Sequence, residues 1–137
     1  RVIRTLQQRT NSNEKTLTQA IEDALIGAAQ VPLTVARKAA EVAHMAETVI
    51  TKGNRHAIAD GMAALLLAQA AVRASRLNII ANMKEVQDDK LRKRWVNEAT
   101  RLEKQVNELV ETLLPHTEAR LTADHSDEKP GRRRRRT

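Results

Sequence analysis

Residues 58–82 read IADGMAALLLAQAAVRASRLNIIAN, a run of Ala, Leu and Ile punctuated by Asp60, Asn78 and Asn82 and preceded by Lys52-Gly53-Asn54-Arg55. A helix that is apolar almost all round is expected inside an assembly, not on its surface. Polar groups carried into such surroundings need partners or a function. The stretch therefore predicts a central helix, and the three polar residues become the first candidates for chemistry.

Working outward, apolar residues keep helical spacing along the chain, and no sustained alternating pattern marks a strand. The predicted fold class is all-α, a helical bundle with long antiparallel helices. Upstream, residues 2–9 read as the end of one helix, and Asn11-Ser12-Asn13 as a turn rich in capping residues. The next helix carries Leu17, Ile21, Ala24, Leu25 and Ala28 on one stripe and runs toward Pro32, where a kink or a new start is expected because proline removes a backbone donor. A further helix follows with Val35, Ala39, Val42, Ala46 and Val49 along one side. Gly53 is expected to end it in the left-handed cap conformation. Downstream, Leu91, Trp95, Ala99, Leu102, Val106, Leu109 and Leu113 recur every three or four residues, a heptad-like seam flanked by charges. Pro115 is expected to stop that helix. The domain division is a helical domain over residues 1–115 and a disordered basic tail over 116–137.

Composition narrows the function classes. One Trp and no Phe or Tyr in 137 residues leave little bulk for a self-sufficient core, so oligomerisation is expected. Cysteine is absent, which removes disulfides, thiolate metal sites and thiol nucleophiles and suits a cytoplasmic location. The uncharged run over residues 61–72 falls short of the ~20 residues a bilayer requires, and no signal-type segment opens the chain. No membrane association is expected.

The net charge of +7 is concentrated at one end. Lys129 with Arg132, Arg133, Arg134, Arg135 and Arg136 supplies +6 of it within the last nine residues, leaving +1 on the 128 before them. Such a run can grip RNA or an acidic partner electrostatically, or simply be a solvated tail. No aromatic platform accompanies it, so the solvated tail is favoured and no nucleic-acid partner is expected except through these arginines.

Asp60 has two readings: an N-cap or first-turn carboxylate stabilised by the helix dipole, or a carboxylate at the mouth of a bundle that accepts N–H donors from a heterocycle or takes a proton from water. Asn78 and Asn82 lie four apart on one helical face, where two amides in apolar surroundings can fix helix register or meet a ligand. Arg73 and Arg76, one turn earlier, are ordinary surface cations or grips for a ligand's carboxylates. His56, beside the Gly53-Asn54 turn, is a candidate for proton transfer, whereas His44 reads as a packed or surface histidine. No zinc-protease helix, phosphate loop or serine elbow is present, so metal, nucleotide and acyl-transfer chemistry have no motif and no metal or cofactor is expected.

Val31-Pro32-Leu33, then Lys52-Gly53-Asn54, a short spacer ending in Asp60, an Ala-rich helix and Leu77-Asn78-Ile79-Ile80-Ala81-Asn82-Met83-Lys84 with Asp88 beyond, together resemble the C-terminal half of the cyclodeaminase/cyclohydrolase family. The resemblance covers residues 19–114. It implies an all-helical homodimer with a tetrahydrofolate derivative as substrate, held in a cleft near the subunit interface. It further implies that Asn54 and Asp60 line the cleft and that Asn78 and Asn82 project toward it. Family members open with a glycine-rich segment that has no counterpart after Arg1, so the expectation is a C-terminal half, catalytically incomplete as it stands. Hydrolysis of the methenyl ring needs a positioned water, a base and groups that tolerate the change of charge. Asp60 and His56 are the candidates for proton transfer. Lys52, Asn54, Arg55, Arg76, Asn78 and Asn82 are the candidates for binding. The same set could serve ring closure of a formimino group with loss of ammonia. Two other classes stay open: a non-enzymatic helical dimerisation module in which Asp60 caps a helix and the two Asn set register, and an RNA-associated protein acting through its arginines.

Overall fold

Asn54 begins the decisive helix. Its side-chain oxygen accepts from the backbone N–H groups of His56 and Ala57 at 3.1 and 3.0 Å while its own backbone stays extended, which satisfies two donors a helix start leaves open. Asp60 therefore does not cap: it lies a turn further in, with its side chain exposed. The computed structural model describes residues 2–123, and the helix begun by Asn54 is the second of three: α1 (Val2–Lys52), α2 (Arg55–Met83) and α3 (Asp89–Ala123). The connections are so short that neighbouring helices must run antiparallel. Among the described residues there is no strand, and α2 packs against both α1 and α3, which also touch each other. The arginine run and the rest of residues 124–137 lie outside the described residues.

Side-chain size decides which face is buried. From α1 the buried residues are Ala29, Leu33, Ala36, Ala39, Ala40, Ala43, Ala46 and Ile50. Those from Ala36 to Ile50 meet Met62, Leu65, Ala68 and Val72 of α2 and Leu102, Val106, Val110 and Leu113 of α3. A second cluster near the α2–α3 turn joins Ala29 and Leu33 to Ile79, Met83, Val86 and Ala99, with Trp95 against it. Alanine lets backbones approach closely. A Cβ on Gly61 would lie 3.0 Å from Val49 Cγ1 and 3.1 Å from Ile50 Cγ1.

The expected stripe on α1 is accordingly split. Ala39 and Ala46 are inside, but Val35, Val42 and Val49 are exposed, as are Leu17, Ile21, Val31 and Met45. The α3 seam matches expectation: Ala99, Leu102, Val106 and Leu113 are buried, and Leu91, Trp95 and Leu109 are partly so.

Three expected stops are corrected, and the fourth, at Gly53, holds but not in the left-handed conformation. Helix α1 passes through Asn11-Ser12-Asn13, and Thr16 donates its hydroxyl back to Ser12 O. It also passes through Pro32, whose missing donor leaves the carbonyl of Ala28 without a helical partner. Both residues line an open groove that water can reach. Helix α3 passes through Pro115, which is exposed, and continues to Ala123 because Thr117 is buried there and Arg120 bonds across the bundle. Residues 116–123, expected in the tail, are thus helical. Gly53 ends α1 with negative φ. Glycine is needed there because a Cβ would run into the carbonyl oxygen of Val49.

Length and composition alone make α2 apolar enough to cross a membrane, against the expectation from its longest uncharged run. Its place between α1 and α3, with nine buried residues, is that of a core helix.

Candidate functional site

The predicted site residues fall into two groups at opposite ends of α2. At the α1–α2 turn, Asn54 is engaged as the helix cap and Arg55 donates from Nη2 to the carbonyl of Leu121 at 3.2 Å. Arg120 completes the turn, donating to Ile50 O at 2.8 Å and Gly53 O at 3.2 Å and so satisfying carbonyls at the end of α1. Lys52, His56 and Asp60 have exposed side chains. His56 and Asp60, four residues apart, share one helical face.

At the other end, Asn78 and Asn82 border a groove of about 430 Å³ between α1 and α2, with Val31, Pro32 and Val35 on one wall and Ala71, Ala74 and Ser75 on the other. The amides are not buried: Asn78 is exposed and Asn82 half-buried. Each donates to the carbonyl one turn back, Asn78 to Ala74 O at 3.1 Å and Asn82 to Asn78 O at 3.0 Å. Their side-chain oxygens remain available as acceptors.

One stripe of α2 connects the two groups. Asp60, Ala64, Leu67, Ala71, Ala74, Asn78 and Asn82 follow at intervals of four, three, four, three, four and four, polar at both ends and apolar between. At the helical rise, Asp60 and Asn78 stand roughly 27 Å apart. A single chain cannot present both groups to one small ligand.

Arg76 is turned elsewhere. Its guanidinium donates to Thr100 Oγ1 at 3.1 Å and lies 3.3 Å from Glu103, with Arg73 3.6 Å from the same carboxylate. Beside them Gln69 donates to Asn107 at 2.8 Å. These contacts fasten α2 to α3, on a face away from the groove. His44 is exposed, 3.6 Å from Glu47. Among the described residues no three His, Asp or Glu side chains are placed to hold a metal ion.

Sequence reasoning missed the pair that joins α1 to α3. Arg37 donates from Nε and Nη2 to the two carboxylate oxygens of Glu98 at 2.6 and 2.9 Å. This forked bond, more than the attraction between the charges, holds the Glu98 carboxyl below its usual range and raises Arg37. The partners are 61 residues apart, and no local signal links them.

Comparison with known proteins covers most of this framework. The formiminotransferase-cyclodeaminase family profile matches residues 2–101, spanning α1, α2 and the start of α3. The methenyltetrahydrofolate cyclohydrolase of Methylorubrum extorquens is 36% identical over 83 residues, 61% of this chain. The chain spans 40% of the length of that relative. No solved structure matches it significantly. With a family match over well more than half of its residues, the chain belongs to the formiminotransferase-cyclodeaminase family.

Proposed function

We propose that the chain acts on a tetrahydrofolate derivative in the cytoplasm, opening the methenyl ring by hydrolysis or closing a formimino group with loss of ammonia, as one half of a two-fold symmetric homodimer. The observation that carries this reading is the α2 stripe, polar at both ends and apolar between, in a chain of this family. An antiparallel two-fold centred near Ala71 would set Asp60 and His56 of one protomer against Asn78 and Asn82 of the other and cover the exposed Val35, Val42, Val49, Leu67 and Leu77. Each dimer would then hold two equivalent clefts.

In that cleft Asp60 accepts from an N–H of the substrate's ring and takes the proton from the attacking water, with His56 one turn away to pass it on. The side-chain oxygens of Asn78 and Asn82 accept from the ring's N–H groups, and Lys52 meets a carboxylate of the substrate. On this reading Arg55 and Arg76, whose bonds run to α3, serve the bundle and not the ligand. The homology between this chain and a cyclohydrolase favours hydrolysis over deamination.

The test is the loss of methenyltetrahydrofolate absorbance with the purified chain. Acceleration over buffer, reduced by Asp60→Asn, supports catalysis. A chain that neither accelerates the loss nor binds tetrahydrofolate removes the folate reading.

One observation favours a non-enzymatic dimerisation module. Asn54, Arg55, Arg76, Asn78 and Asn82 all have polar groups engaged by the fold itself. On that reading, removing the Asp60 carboxylate changes neither folate affinity nor turnover.

A further inference from the structure

A second cavity, outside the folate site, lies between the end of α2 and the start of α3. It has a volume of about 520 Å³ and is lined by Ile80, Lys84, Arg92, Lys93, Val96 and Asn97, within the ~300–1,000 Å³ of small-molecule pockets. Its chemistry is polarised by topology. Lys84 follows Ile80 by one turn on α2, whereas Arg92 precedes Val96 and Lys93 precedes Asn97 by one turn on α3. Because the two helices are antiparallel, the three cations gather at the turn end and the apolar side chains lie deeper along the groove. No carboxylate lines it.

Arg92 is held in place, donating to Val86 O at 2.9 Å and pairing with Asp89. Lys84 and Lys93 are exposed and form no ion pair with any described residue. Ile80 stays 37% exposed, an apolar surface bounded by cations. We infer that this pocket binds an amphiphilic anion, an apolar body with a carboxylate at one end, the body against Ile80 and Val96 and the carboxylate among Lys84, Arg92 and Lys93. A neutral body forgoes the three charges, and a bare carboxylate forgoes the apolar contact. This inference does not depend on folate chemistry or on dimerisation.

Titration of the isotopically labelled full chain with 2-naphthoate, 2-naphthylmethanol and acetate tests it by amide NMR. The expected result is saturable shifts at Lys84, Val96 and Asn97 with naphthoate, at least about tenfold tighter than either control and weakened by salt. The Lys84→Gln/Lys93→Gln variant, both positions being surface residues, is expected to keep its helical spectrum and lose about tenfold in affinity. Equal binding of the alcohol, unchanged affinity in the variant, or shifts confined to the α1–α2 groove would overturn the assignment.

Discussion

Arg120, one turn from the end of α3, donates from Nη1 to the carbonyl oxygen of Ile50 at 2.8 Å, across 70 residues of sequence. The same guanidinium reaches Gly53 O, while Arg55 from the start of α2 reaches back to Leu121 O. Two arginines thus tie the C-terminal turns of α3 to the α1–α2 turn that carries Lys52, His56 and Asp60. A charged donor on partly buried carbonyls contributes about 1.5–3 kcal/mol. Arg120→Ala is expected to lower stability by that order in urea unfolding. Loss of less than a few tenths would show that water replaces the guanidinium without cost.

The Arg37–Glu98 pair gives stability a pH dependence. Glu98 has its carboxyl pKa lowered on folding, so its contribution is present above the ordinary glutamate range near ~4.3 and fades as pH falls from there through the folded value. Both side chains are partly exposed, which keeps the effect to about 0.2–1 kcal/mol. Urea midpoints of the parent and Glu98→Gln are expected to differ at pH 7 and to converge as the pH falls below the ordinary glutamate range and Glu98 takes up its proton. A gap that persists unchanged in acid would assign the effect to packing.

At Gly61 of α2 the side chains of Val49 and Ile50 of α1 leave little room. Replacing the glycine with alanine gains about 1 kcal/mol of helix propensity but sets a Cβ 3.0 Å from Val49 Cγ1, which must turn aside. Valine adds two more carbons toward Ile50, which is fully buried. Gly61→Val is expected to lose about 1–3 kcal/mol in thermal or urea unfolding, and an unchanged midpoint would mean that the helices separate freely.

Much of this was legible in the residues. The α3 seam stood out because its apolar residues recur once per turn among charges, so only one face could be buried. The α1–α2 turn was equally plain, although the cap proved to be Asn54 and not Asp60. Pro32 and Pro115 misled because breaking a helix at proline is a local penalty of about 3 kcal/mol. Burial of Leu33, Ala36 and Ala29 around the one, and of Leu113 and Thr117 around the other, outweighs it. On α1 two apolar stripes competed, and the choice of the alanine stripe over the valine stripe depends on how closely α2 approaches. Contacts such as Arg120 to Ile50 carry no local pattern at all. The candidate site was legible as residues but not as a place. Asp60 and Asn78 read as one cluster in the motif, yet they lie far apart on one continuous helix.

The exposed Val35, Val42 and Leu67 make a specific claim about assembly. Leu67 is 72% exposed, so Leu67→Glu leaves the core untouched. The parent chain is expected to sediment as a dimer and this variant as a monomer, each with the same helical content. A parent that sediments as a monomer would leave that surface for another partner.

Mixing two binding-defective chains tests the shared cleft most directly. Asp60→Asn and Asn78→Ala/Asn82→Ala are each expected to bind tetrahydrofolate weakly by calorimetry. A one-to-one mixture, exchanged through mild denaturant, is expected to recover about a quarter of the parent's sites, because half the dimers are mixed and each holds one intact cleft. A mixture that binds no better than its two components would contradict a site built from Asp60 of one protomer and the asparagines of the other.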